Sequence, residues 1–221
     1  MKKKGSLIVF EGNDGAGKTT ALSRIRELLE AQGFDVLVSR EPGGNPIAEQ
    51  IREILLNPAS QEMTPQTEAL LYAASRAQHL SQTILPAIAE GKIVLCDRFL
   101  DSSLAYQGYG RNLGVSDIEA INDFGLKRFR PDLTLFFSVS AEISAQRIHL
   151  RGQEDRLDQE SAAFHQRVRD GFEALIAKHP ERYIRIDGTQ NPEKVAQDGF
   201  EAIVSWLSES GSQQMDAAAY E

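Results

Sequence analysis

The chain has 221 residues, with 24 basic and 32 acidic side chains and a formal net charge of −8. Its 41% hydrophobic and 25% charged content excludes disordered and fibrous classes, and a chain this long buries a full core without disulfide or metal staples. The acidic balance excludes a non-specific nucleic-acid partner, which needs a positive field along the phosphates, but not a small anion that senses local charge. Arg supplies 16 of the 24 basic residues, the side chain suited to bidentate phosphate and carboxylate recognition. The single Cys96 sits in the apolar run Ile93-Val94-Leu95-Cys96 and reads as a small buried hydrophobe; no Cys framework is possible, as in a reducing cytoplasm. Met1-Lys2-Lys3-Lys4 precedes an apolar stretch that ends at Glu11, too short for a signal peptide, and no apolar run approaches the ~20 residues of a membrane span. The expectation is a cytoplasmic protein with no membrane partner.

Five strand-like runs follow in order: Leu7–Glu11, Asp35–Ser39, Ile93–Asp97, Leu133–Val139 and Tyr183–Asp187. Several are nearly continuous apolar runs, the pattern of strands buried on both faces of a parallel sheet. Helical stretches separate them. Leu22, Ile25, Leu28 and Leu29 recur at helical spacing before a stop at Gly33; Ile47, Ile51, Ile54 and Leu55 mark a second helix; a long one runs from about Pro65 to Glu90. Ser116 with Glu119 reads as a capping box, and Asn191-Pro192 as an N-cap with Pro at the first helical position. This alternation predicts a doubly wound α/β sheet in a single domain, 1–207, followed by a tail, 208–221, with few apolar residues and no expected structure.

Gly12-Asn13-Asp14-Gly15-Ala16-Gly17-Lys18-Thr19 matches G-x-x-x-x-G-K-[ST] and lies between a predicted strand and a predicted helix, where the mechanism needs it. Glycines let consecutive N–H groups turn inward on phosphate oxygens, and the helix N-terminus adds a favourable dipole. Lys18 can reach the β- and γ-phosphates and the Thr19 hydroxyl can bind Mg²⁺. The guanine-reading Asn-Lys-x-Asp motif is absent. Asp97 ends the third strand, the edge where ligands meet open α/β sheets, and can hold Mg²⁺ through water; Arg98 beside it can clamp an acceptor phosphate. Tyr72 and Arg76, four apart, share a helix face on which an aromatic ring and an Arg can grip a planar base. The alternative for each is an ordinary core Tyr, surface Arg or solvated Asp-Arg pair.

Phe10–Thr20, Arg40-Glu41-Pro42-Gly43-Gly44, Asp97-Arg98-Phe99 and Ser102-Ser103-Leu104-Ala105-Tyr106-Gln107-Gly108 together resemble the bacterial thymidylate kinases, P-loop nucleoside monophosphate kinases. Arg130-Pro131-Asp132-Leu133-Thr134 and Arg156-Leu157-Asp158-Gln159-Glu160 are similar too, so the resemblance spans about 6–207. It implies transfer of the ATP γ-phosphoryl to dTMP with Mg²⁺, a five-stranded parallel core of P-loop NTPase type, a mobile lid and a homodimer. By position it implies that Gly12 to Thr20 hold ATP, that Arg76 hydrogen-bonds the thymine and Tyr72 stacks on it, and that Ser103 and Gln107 line the base pocket. Tyr106 then excludes a ribose 2′-hydroxyl, Asp14 lies near the 3′-hydroxyl, Arg98 and Arg52 approach the dTMP phosphate, and Glu41 organises that end. Two positions depart from the pattern: 72 is more often Phe and 99 more often Tyr.

The phosphate loop has no Arg at its x positions, so positive charge on the transferring group has to come from elsewhere. The stretch around Gly152, about 147–158, suits a hinged lid, from which Arg151 and Arg156 can close on the phosphates as catalysts beside Lys18 and Arg98. Arg147 is a weaker candidate, flanking adenine, where Thr189 and Gln190 also fall. The histidines at 79, 149, 165 and 179 have no metal-ligand spacing and read as structural or surface residues. Two rivals remain: another P-loop kinase with a nucleoside acceptor, and a nucleotide-gated switch that hydrolyses ATP slowly.

Overall fold

Apolar runs without polar alternation can form strands only where helices cover both faces of the sheet, and this arrangement positions everything else. The computed structural model describes residues 5–152 and 155–217, the side chains of 151 and 210–217 excepted. The strands are β1 (Ser6–Glu11), β2 (Val36–Arg40), β3 (Ile93–Asp97), β4 (Leu133–Ser138) and β5 (Tyr183–Asp187). They form one parallel sheet in the order β2-β3-β1-β4-β5. Helices α1 (Lys18–Ala31) and α9 (Pro192–Ala217) pack on one face, over Ile8, Phe10, Leu95, Leu135 and Phe137. The opposite face, with Leu7, Val9, Val94 and Cys96, is covered by α3 (Pro65–His79), α4 (Leu85–Glu90) and α6 (Val115–Leu126). Successive β1 residues thus enter different cores, the consequence of a two-residue side-chain period.

A third apolar cluster joins α2 (Pro46–Leu56) and α3 to α8 (Ala162–Lys178), with Leu55, Tyr72, Tyr106, Leu157, Phe164 and Phe172 at its centre. It takes in Phe136 of β4 and Tyr183 of β5 as well. A short α5 (Leu100–Ser103) continues into a π-helical turn, Leu104–Gly110, and α7 (Ala141–Arg151) crosses near the phosphate loop.

Three local features differ from the sequence expectation and one agrees with it. The long helix is continuous from Pro65 to Glu90 but widens into a π-helical turn at Leu80–Ile84. Ser116 does not cap α6: Gly114, with φ of 89°, turns the chain into the helix earlier, so Ser116 falls inside the first turn. Asn191 does cap α9, its Oδ1 accepting from the Lys194 N–H at 2.8 Å. The segment from 208 to 217, expected to lack structure, continues α9 to Ala217; a helix already nucleated propagates through polar residues because each adds one backbone bond. The remaining tail residues, 218–221, lie outside the described residues.

Candidate active site

Gly12 has φ of 136°, and a Cβ there would collide with the Phe137 carbonyl oxygen of the neighbouring strand, so only glycine lets the loop leave β1 at this point. The chain then enters α1 at Lys18. The Lys18 ammonium donates to the carbonyls of Gly12 and Asn13, both at 2.9 Å, folded back across its own loop. Burial, reinforced by the nearby Arg98 charge, draws its pKa down to about 8 despite Asp97, Asp14 and Glu11 pulling the other way.

Thr19 Oγ1 donates to Asp97 Oδ2 at 2.9 Å, which brings together the two residues expected at a metal. Asp97 Oδ1 is buried without a hydrogen-bond partner. A carboxylate oxygen left unpaired beside a hydroxyl, at the mouth of a phosphate loop, suits Mg²⁺, a hard cation held by one or two protein oxygens together with substrate phosphates. Among the described residues no cluster of three or more His, Cys, Asp or Glu offers an all-protein metal cage.

Arg98 has φ of 68°, a left-handed conformation uncommon outside glycine, and its guanidinium is thereby turned back over the loop. It donates to Asp14 Oδ1 at 2.7 Å, to the Gly12 carbonyl at 3.1 Å and to Ser102 Oγ at 2.9 Å, and lies 5.2 Å from the Tyr106 ring centre. The Tyr106 hydroxyl donates to Asp14 Oδ2 at 2.6 Å. Burial works to raise the Asp14 pKa, but Arg98, Lys18 and the Tyr106 hydroxyl outweigh it and hold the carboxyl far below its ordinary range. Behind this group Glu11 is fully buried and accepts from the Phe99 and Ser102 N–H groups and the Ser102 hydroxyl; burial and the Asp101 charge raise its pKa to about 7.

The base end is a network of buried charge. Arg76 is 2% exposed, and its Nε donates to Glu41 Oε2 at 2.6 Å, one terminal nitrogen to Asn122 Oδ1 at 2.5 Å and the other to the Phe99 carbonyl at 3.0 Å. That uses three of its five N–H donors and leaves two for the cavity that it lines. Glu41 also meets His79 Nδ1 at 3.0 Å, and His79 Nε2 meets Ser39 Oγ at 2.6 Å. Tyr72, Ser103 and Gln107 line the same cavity, with Ser103 Oγ buried and unpartnered. Burial is the main reason the Tyr72 hydroxyl stays protonated far above the ordinary range. Arg52 donates to the Pro42 carbonyl at 2.8 Å and faces the cavity too. Lys18, Thr19 and Asp97 therefore open on one space with Arg76 and Gln107, a cavity of about 800 Å³.

A family profile described as thymidylate kinase matches residues 10–198. The chain belongs to the thymidylate kinase family. It is 50% identical over 207 residues to a thymidylate kinase of Halalkalibacterium halodurans, covering 93% of this chain and 99% of that one. It is 52% identical over 195 residues to one from Lactobacillus acidophilus, covering 87% and 90%. The crystal structure of thymidylate kinase from Ehrlichia chaffeensis superposes with a TM-score of 0.72 at 32% identity, over 90% of this chain and 98% of that one. The chain is accordingly a kinase, and its five-stranded parallel sheet is the fold of a solved thymidylate kinase.

Within this thymidylate kinase fold the candidate lid residues separate. Arg147 reaches the loop, donating to the Gly15 and Gly188 carbonyls at 3.1 and 3.0 Å. Gln190 lines a smaller neighbouring pocket and bonds Asp198, while Thr189 turns back on Asp187. The Arg151 side chain lies outside the described residues, as do residues 153 and 154 of the expected lid. Arg156 corrects the sequence expectation. It is 3% exposed and does not line the cavity; it donates to the Leu55 carbonyl at 2.9 Å and to Glu68 Oε2 at 2.7 Å. A buried carboxylate holds a buried guanidinium tightly, because separating them strands both charges. The partners Glu68, Asn122 and Arg111 were missed from sequence; Glu68, one helical turn before Tyr72, carried a readable signal in its spacing.

Proposed function

We propose that the shared cavity is the reaction chamber of this kinase, with the ATP phosphates on the loop and dTMP between Arg98 and Arg76. The chain phosphorylates dTMP with ATP, giving dTDP and ADP. An oxygen of the dTMP phosphate forms the new bond to the γ-phosphorus as the bond to the β–γ bridging oxygen breaks and that oxygen leaves with ADP. The attacking oxygen is already anionic, so the step needs alignment and positive charge rather than a general base. Lys18 swings from its own loop carbonyls to the β- and γ-phosphates, and Gly12 to Thr20 present N–H groups to them. Thr19 and Asp97 would hold Mg²⁺, which would supply neutralising charge to the phosphates. Arg98 and Arg52 take the acceptor phosphate, Asp14 and Tyr106 the sugar, Tyr72 the ring face, and Arg76, Gln107 and Ser103 the base edge, with Glu41 steadying Arg76. Arg147 and Gln190 flank ATP.

The observation that carries this reading is that the Lys18–Thr19–Asp97 group and the Asp14–Arg98–Tyr106 group border one continuous cavity. A homodimer would cover Phe124, 92% exposed on α6. No helix among the described residues is long and apolar enough to cross a membrane, and the reaction suits the cytoplasm. Purified protein with ATP, Mg²⁺ and a panel of dTMP, dUMP, dCMP, dGMP and AMP tests the assignment. ADP should form only with an added acceptor, and fastest with dTMP; ADP release indifferent to dTMP would favour the slow ATPase switch.

A further inference from the structure

Gln107 borders the cavity with a side chain that can be read in two opposite ways, because an amide presents either C=O or NH₂ depending on its flip. Its Nε2 donates to Glu68 Oε1 at 2.9 Å. Glu68 is fully buried, and its carboxylate also accepts from Arg111 at 2.8 and 3.2 Å and from Arg156 at 2.7 Å. Burial works against its charge, but the bonds and charges of Arg111, Gln107 and Arg156 outweigh this and keep its pKa below the ordinary value. An ionised carboxylate only accepts, so whatever faces it has to donate. The flipped amide would set two acceptors against each other in a site closed to water.

We propose that Glu68 is a specificity-determining positioning residue, locking the Gln107 amide so that its carbonyl oxygen, never its NH₂, faces the acceptor base. Arg76, held by Glu41, Asn122 and the Phe99 carbonyl, offers only donors to the same cavity. An acceptor from Gln107 beside a donor from Arg76 matches a ring edge with an N–H next to a C=O, the imide of thymine or uracil. Cytosine, of the same size, presents an unprotonated ring nitrogen to an acceptor and an amine to a donor. Glu68 touches no substrate in this arrangement; it acts through Gln107. Its place on α3 fits the task, since Glu68, Tyr72 and Arg76 recur every four residues along one helix face. The inference rests on the dTMP-phosphorylating reading of the cavity.

The test compares kcat/KM for dTMP and dCMP in the wild-type chain, Glu68→Gln and the reciprocal double variant Glu68→Gln with Gln107→Glu. In the single variant two amides face each other and either flip is allowed. The dTMP-to-dCMP ratio should then fall by about tenfold or more, with dCMP turnover unchanged or improved. The double variant moves the carboxylate to position 107, where either oxygen accepts, so an acceptor is again turned to the base and the ratio should return to within about threefold of wild type. Equal loss for both substrates, or an unchanged ratio in a folded single variant, overturns the proposal. If Glu68→Gln does not fold, the ¹⁵N-labelled Gln107 side chain of the wild-type protein decides. Its NH₂ protons should stay protected from exchange with and without dTMP, and a freely exchanging pair overturns the proposal. Failure of the wild-type chain to phosphorylate dTMP would instead overturn the reading of the cavity.

Discussion

In the donor half of the cavity, Gly12 to Thr20 supply loop, cation and hydroxyl from one contiguous stretch whose geometry comes from the backbone. In the acceptor half, Glu41, Arg76, Arg98 and Gln107 arrive from separate parts of the chain and are held by side-chain bonds, to one another or to the buried Glu68, Asn122 and Asp14 behind and beside them. The first half can lose a side chain and remain folded. In the second, substrate reading and stability share the same groups, so a change that removes one charge strands another.

Substitutions can break this contrast, the largest effect first. Lys18→Met should lower kcat by roughly 10²–10³-fold, the loss typical of a removed transition-state donor, with an unchanged far-UV spectrum; a decrease of less than tenfold would refute its role. Arg76→Ala should cost about 3–5 kcal/mol of stability in urea unfolding, because Glu41 is left buried with only His79 beside it, and should raise KM for dTMP in whatever folds. Arg156→Ala should behave as a stability variant. Arg111 still pairs with Glu68, so the cost should be about 1–3 kcal/mol, and kcat below the melting temperature should stay within about threefold of wild type. A much larger fall in kcat with unchanged stability would restore Arg156 to the lid.

Tyr106→Phe removes the bond to Asp14 and should raise KM for dTMP by about twofold to tenfold, the range expected of one net hydrogen bond. The smallest effect is a pH dependence. A Lys held near 8 in the folded protein but near its ordinary ~10.4 in the unfolded chain binds fewer protons when folded, so stability rises with pH across that window. The wild-type melting temperature should therefore gain on that of Lys18→Met between pH 8 and pH 10, and be offset from it by a constant amount below pH 7. Parallel curves across the whole range would show that Lys18 is not perturbed by its surroundings.

The fold was largely legible because burial on two faces leaves a visible mark: all five apolar runs became strands within a residue or so at each end. The donor half was legible for the same kind of reason, since its glycines and Lys18-Thr19 lie in a fixed order. Arg76 and Tyr72 were found through their four-residue spacing and the family resemblance, whereas Glu68, one turn earlier on that face, was passed over. An acidic residue on a helix reads as solvent-facing until its partners Gln107, Arg111 and Arg156 are brought over it. His79, expected to be a structural or surface residue, is structural, enclosed between Ser39 and Glu41, partners that its sequence position does not reveal. Arg156 was assigned to catalysis on the strength of its neighbourhood in sequence, and it points to Glu68 instead.

By itself the sequence determined the parallel sheet, the phosphate loop, the Asp97-Arg98 strand end and the family, because each depends on residues close together in the chain or on the periodicity of one element. Tertiary structure alone decided which charged groups face substrate and which face one another. Arg98 and Arg156 are the same side chain; one meets Asp14 in the open cavity and the other meets Glu68 inside the core. A buried charge takes its function from its partner, and that partner is chosen by how distant segments pack.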